Sequence, residues 1–171
     1  MLGFLFHGLT ADPKRGTALF DAATAEARQK HWYVEGKVPD TIDGRFAVLA
    51  TVTALLLVRL EQLGKEGDVV SVALTERFIA VMESEHRELG LGDPTLGKTV
   101  RKLVGSLSRR TELWRQAAAD ERSWTASAGQ SLFPREAATP EALAHVSHSL
   151  RALWTRLGQL EIGQIAEGQL E

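Results

Sequence analysis

The chain has 171 residues, 44% of them apolar and 25% charged, with 20 Lys and Arg against 22 Asp and Glu. That is enough chain for one globular domain with a real core, so residues 1–171 are expected to form a single helical domain. The lack of cysteine excludes disulfides, zinc-thiolate sites, iron–sulfur clusters and thiol nucleophiles, and a formal net charge of −2 argues against a whole-surface nucleic-acid binder, so no DNA partner is expected.

The chain opens Met1-Leu2-Gly3-Phe4-Leu5-Phe6 without the basic stretch of a signal peptide, and a cytoplasmic protein is expected, with peripheral contact at the inner membrane as a further role. Leu2, Phe4, Leu5 and Phe6 are expected to pack on the core. A first helix is predicted from Pro13 or Thr17 to about Trp32, with Leu19, Phe20, Ala23, Ala27 and Trp32 on its apolar side and Gly36 as its stop. Lys37-Val38-Pro39 reads as a linker. A second helix starts at Asp40 or Thr41, where Asp43 suits the positive end of the dipole. Ile42, Phe46, Leu49, Leu56, Leu60 and Leu63 form one stripe, and Val48, Val52 and Leu55 add a second, so this helix is expected to be central. Its uncharged run, Phe46 to Val58, is 13 residues and short of the roughly 18 a membrane span needs.

A third helix is predicted from Asp68 to Leu89, with Leu74, Phe78, Val81 and Met82 inward and Gly90 ending it. A fourth opens at Asp93-Pro94 and continues to about Arg122, with Val100, Leu103, Val104, Leu107, Thr111 and Trp114 on one side. Periodicity fades from Ser123 to Thr139, which reads as a loop with room for one short helix. A fifth helix follows from Pro140 on Leu143, Val146, Leu150, Leu153, Leu157 and Leu160, and the tail from Glu161 frays. No window alternates with period two. The fold class is all-α, a bundle of five to six helices.

Charge is uneven along this bundle. Residues 93–123 hold seven basic side chains against four acidic ones, whereas residues 45–92 hold five against seven. Lys98, Arg101, Lys102 and Arg109 share a stripe opposite the apolar side of the fourth helix, with Gly105 in its middle. A solvated helix face explains such a stripe, and so does the docking of an acidic protein tail, ribosomal RNA or anionic lipid. Glu83 and His86 make one Glu-x-x-His pair, but a di-iron bundle needs two, and an i, i+4 pair of Glu83 with Arg87 accounts for the glutamate. Glu141, His145 and His148 lie on one side of the fifth helix, yet two turns separate the ends, roughly 10 Å, which is long for one ion. No metal and no cofactor are expected.

No Gly-x-Ser-x-Gly or Walker loop is present, and Asp40 with Asp43 is explained by capping, so no enzyme is expected. Gly44 inside a helix costs roughly 1 kcal/mol relative to Ala, which implies that a neighbouring helix or a partner passes close there.

Two segments carry more specific residues than packing requires. One is Val38-Pro39-Asp40-Thr41-x-Asp43-Gly44-Arg45-Phe46, preceded by His31. The other is Arg87-Glu88-Leu89-Gly90-Leu91-Gly92-Asp93, followed by Gly97-Lys98-x-Val100-Arg101-Lys102. In order and spacing they resemble the ubiquinol–cytochrome c chaperone family, assembly factors of the cytochrome bc1 complex. The resemblance covers residues 20–115 closely and residues 124–171 more loosely. Leu107-Ser108-Arg109 stands where an aromatic-Gly-Arg usually closes the second motif.

The resemblance implies a non-enzymatic chaperone that binds cytochrome b during biogenesis of the ubiquinol–cytochrome c reductase complex, with a small partner protein and the ribosome as further partners. It makes His31, Asp40, Asp43, Arg45, Glu88, Asp93, Lys98 and Lys102 candidate partner-binding residues, and the basic stripe adds Arg101 and Arg109. An apolar groove along the second or fifth helix could shelter an amphipathic helix of the client. A small-ligand or metal-binding bundle, and a ribosome- or lipid-surface adaptor working through the basic stripe, are the competing functions.

Overall fold

The computed structural model describes residues 16–171. The expected helix start at Pro13 and the expected packing of Leu2, Phe4, Leu5 and Phe6 lie outside them. Among the described residues there is no strand, and seven α-helices are present. They are α1 (Thr17–Ala27), α2 (Ile42–Glu61), α3 (Gly64–Glu88), α4 (Asp93–Ala119), α5 (Trp124–Leu132), α6 (Pro140–Gln159) and α7 (Ile162–Ala166). Single 3-10 turns lie at Lys30–Trp32 and Glu121–Ser123. The count exceeds the expected five to six because α7 is too short to show a period. It is fixed by a capping box between Glu161 and Gln164 and by burial of Ile165. No helix among the described residues is long and apolar enough to cross a membrane.

Helix α2 is the centre. Every residue from Ala50 to Val58 is buried, and α1, α3, α4, α5 and α6 all pack on it. A helix that is apolar all round is stable in water only when enclosed. Its start is set by Thr41, whose side chain accepts from the Gly44 N–H at 3.1 Å. Gly44 has a local reason: a Cβ there would stand 1.8 Å from the Pro39 carbonyl oxygen. The element passing close is therefore the chain's own linker, not the neighbouring helix or partner expected from sequence. At the other end Gly67 allows α3 to start against α2, since a Cβ would lie 1.9 Å from the Leu60 carbonyl oxygen.

Helix α1 stops at Ala27 rather than Trp32, for a specific reason. The Trp32 Nε1–H donates to the Glu26 carbonyl at 2.9 Å, and the Tyr33 hydroxyl donates to the Ala27 carbonyl at 2.8 Å. The two aromatic side chains fold back onto the helix end, Tyr33 pairing the Ala27 carbonyl and Trp32 adding a second donor to the Glu26 carbonyl, which also accepts from the Gln29 N–H at 3.2 Å. Two arginines act the same way elsewhere. Arg59 donates to the Leu157 carbonyl at 3.0 Å, at the end of α6, and Arg110 donates to the Ser131 carbonyl at 2.8 Å, at the end of α5.

The core holds one compact polar knot. The hydroxyls of Thr51 and Ser131 lie 2.6 Å apart, and the Trp114 indole N–H donates to Ser131 at 3.2 Å. One serine thus joins α2, α4 and α5. Beside it Trp114 and Trp124 meet edge to face at 4.8 Å, and the Trp124 indole reaches the Ser147 carbonyl of α6 at 3.1 Å. Replacing Ser131 with Ala leaves the buried indole N–H unsatisfied, so a loss of about 1–3 kcal/mol is expected. Urea unfolding of Ser131→Ala beside the parent protein checks it, and an unchanged midpoint would contradict the role given to the knot.

Candidate functional site

The first motif forms one wall of a cleft of about 500 Å³. Lys37, Pro39, Thr41, Asp43, Gly44 and Ala47 come from the linker and the start of α2. Leu132, Phe133, Pro134, Arg135 and Thr139 come from the end of α5 and the segment that leads into α6. The floor is apolar and the rim polar, and Asp43 and Arg135 form an ion pair across it at 3.1 Å. Both partners are exposed, so the pair is weak and can exchange for contacts with a ligand. Lys37 sits at φ 54, the only non-glycine at positive φ among the described residues. Its backbone makes the turn that lets Val38 bury and donate to the Trp32 carbonyl at 3.0 Å.

Asp40 and Arg45 pair at 2.6 Å on the same exposed corner, and the hydrogen bond from Arg45 holds the Asp40 carboxyl below the usual carboxylate range. His31 is half-buried and turned away from this cleft. Its Nδ1 lies 3.1 Å from Nε2 of His145 on α6, and its ring stacks near Trp32. Burial, then the neighbouring His145, lowers the His31 pKa, with Glu35 opposing and Arg156 reinforcing. Nearby, Arg156 pairs with Glu26 at 3.1 Å and ties α6 to α1, while burial raises the Glu26 carboxyl.

The second motif lies elsewhere, at the turn between α3 and α4. No hydrogen bond or ion pair joins it to the first motif among the described residues. Glu88 and Asp93 are exposed there, as are Lys98, Arg101, Lys102 and Arg109 along α4. Glu83 and Arg87 are exposed and do not pair, contrary to the i, i+4 bond expected from sequence. His86 is bonded through Nδ1 to the Met82 carbonyl at 2.8 Å. His145 faces His31 rather than Glu141 and His148, and no group of three or more metal-ligating side chains is assembled among the described residues.

The expected apolar groove along the second or fifth helix is absent among the described residues. Ala50 to Val58 of α2 are covered on every side, and Val146, Leu150, Leu153 and Leu157 of α6 are spent on the core. A cleft at the α2 start remains open. Sequence reasoning missed its second wall, Leu132 to Thr139, because a seven-residue connection has no period to read. The two prolines in and after it, Pro134 and Pro140, were the available signal of a rigid segment.

The described residues thus form a helical bundle with a cleft at the start of α2 and, on α4, a charged face without ion pairs. Compared with known proteins, the chain matches the family model described as ubiquinol-cytochrome C chaperone over residues 34–171. It belongs to that family, and the match runs through the C-terminal helices as well as both motifs. Its structure is similar to the crystal structure of the Cbp3 homolog from Brucella abortus, with a TM-score of 0.74, 24% identity, and coverage of 98% of this chain and 94% of that one. At that identity the likeness is one of fold. No curated protein matches the chain.

The histidine pair sets a pH response. The folded state holds His31 with a lowered pKa, so the unfolded chain binds the proton more readily. Stability from the pair is then complete above the ordinary histidine pKa of about 6.5 and is lost as pH falls below it. Tm is expected to fall between pH 7.5 and 5.5, and by less in His145→Gln. Glu26 works in the opposite direction and is unchanged in both proteins, so the difference between their profiles isolates the pair. Parallel profiles would rule the coupling out.

Proposed function

We propose that the protein is a non-catalytic assembly chaperone that holds cytochrome b while the ubiquinol–cytochrome c reductase complex is built. The observation that carries this reading is the placement of the first family-like motif. Lys37, Pro39, Thr41, Asp43 and Gly44 line a cleft that also exposes apolar side chains, inside the stretch matched by the family model. An unassembled membrane subunit presents apolar side chains that need cover and polar ends that need partners. The floor of Ala47, Leu132 and Phe133 suits the first, and the exchangeable Asp43–Arg135 pair with free Lys37 suits the second. Because α2 is held on all sides, the cleft is present before the client arrives, which lowers the ordering cost of binding. Asp40 and Arg45 at the same corner extend the contact surface.

The protein would act on the cytoplasmic side, meeting the inner membrane through its client. The small-ligand and metal reading has less support, because His145 is engaged by His31.

Affinity capture of the tagged protein in mild detergent, from cells building the complex, tests the proposal. Cytochrome b without its mature partner subunits is the expected companion, and its absence would refute the function. Ala47→Trp, which fills the cleft from the α2 wall, is expected to cut recovery of cytochrome b by about tenfold, the loss of roughly 1.4 kcal/mol of binding. Recovery at the parent level from a folded Ala47→Trp protein would move the client off this cleft.

A further inference from the structure

Helix α4 uses its arginines in two different ways. Arg110 is half-buried and serves Ser131 and Ser106, and Arg115 binds Glu61 at 2.8 Å and also Glu112. Lys98, Arg101, Lys102 and Arg109 are exposed, and none of the seven ion pairs among the described residues involves them. At 3.6 residues per turn the four share one face, about 16 Å long.

Gly105 lies in the middle of that face. A Cβ there would meet only the Arg109 guanidinium, at 3.4 Å, unlike Gly44 and Gly67, which the chain's own carbonyls require. A glycine in a helix interior costs about 1 kcal/mol relative to Ala. Gly97 of the same helix, and Gly158 and Gly163, are just as open to a Cβ, and Gly105 differs from them in standing inside the row of unpaired cations.

We propose that this face docks an acidic helical segment of a different polypeptide, whose backbone closes on Gly105 while its carboxylates pair with Lys98, Arg101, Lys102 and Arg109.

The other occupants fit less well. A second copy of this chain would bring like charges together in either orientation. Laid antiparallel about Gly105, Arg101 of one copy opposes Arg109 of the other, and laid parallel each cation opposes its twin. A lipid surface would find no large apolar side chain to insert, since the exposed ones (Val34, Ile42, Val69, Val72 and Leu89) are all off α4. RNA phosphates would gain nothing from a helix-interior glycine whose N–H is already bonded in the helix, and no aromatic side chain on this face offers a base a stacking surface. A helix with Asp or Glu every three or four residues matches the row in pitch, and a missing Cβ is what lets two helix backbones approach.

This surface is separate from the cleft and does not depend on the cytochrome b reading. The test is photo-crosslinking in the native cells from p-benzoylphenylalanine placed at Ser108, an exposed neighbour of the face. The expected adduct is a peptide with acidic residues recurring at helical spacing. Gly105→Leu keeps every charge and removes the close approach, and it is expected to lower adduct yield by about tenfold. The same protein should melt at or above the parent temperature, because leucine favours helix over glycine. Should Gly105→Leu fail to fold, Gly105→Ala with the triple change K98E/R101E/K102E carries the same comparison. An adduct to lipid, to RNA or to a segment without the acidic row would overturn the proposal. So would no adduct at all, or an undiminished one in the folded glycine variant.

Discussion

Everything in this structure follows from the need to enclose α2. A helix with apolar side chains on every face cannot lie on a surface, and five other helices are recruited to cover it. Coverage on that scale leaves few places where the covering helices can be pinned, because most of what they touch is smooth hydrocarbon. The polar knot of Thr51, Ser131 and Trp114 supplies one directional point in that interior. The carbonyl bonds from Arg59 and Arg110 supply two more near the periphery. Apolar burial provides the bulk of the stabilisation, and these few hydrogen bonds fix which helix end meets which.

The same economy separates structural from available charge. Arginines that face a helix end or a neighbouring carboxylate are bound within the chain. The cations on the outer side of α4 are not. The result is a molecule whose rigid interior carries two distinct outward surfaces, a cleft at the start of α2 and a basic face on α4, built from different motifs and touching different solvent. With such a division, contacts made at the cleft and contacts made at the basic face need not compete for the same residues.

Much of the architecture was legible from the sequence. The stripes of the second and fifth predicted helices, the proline starts at Pro94 and Pro140, and the central position of Phe46 to Val58 all correspond to observed elements. Long amphipathic helices announce themselves because many residues repeat one signal. Three features stayed hidden, each for its own reason. His31 meets His145 across 114 residues, which no local pattern reveals. The early stop of α1 depends on Trp32 and Tyr33 folding back, although both also fit the apolar side of a longer helix. The second wall of the cleft is irregular chain. Gly44 was read correctly as a close approach but assigned to the wrong neighbour, since sequence cannot say that the linker turns onto the helix it precedes.

The enclosure of α2 also has a consequence for synthesis. The last residue of α2 is Glu61, yet α5 and α6, which complete its cover, end at Leu132 and Gln159. Roughly a hundred residues must therefore emerge from the ribosome after α2 before its final layer exists. At about 5–20 residues per second this leaves the most apolar segment partly uncovered for about 5–20 s. The hairpin of α3 and α4 is local and can shield one side early. The other side waits for the C-terminal helices. A member of a chaperone family thus passes through an interval in which it is itself the exposed apolar chain.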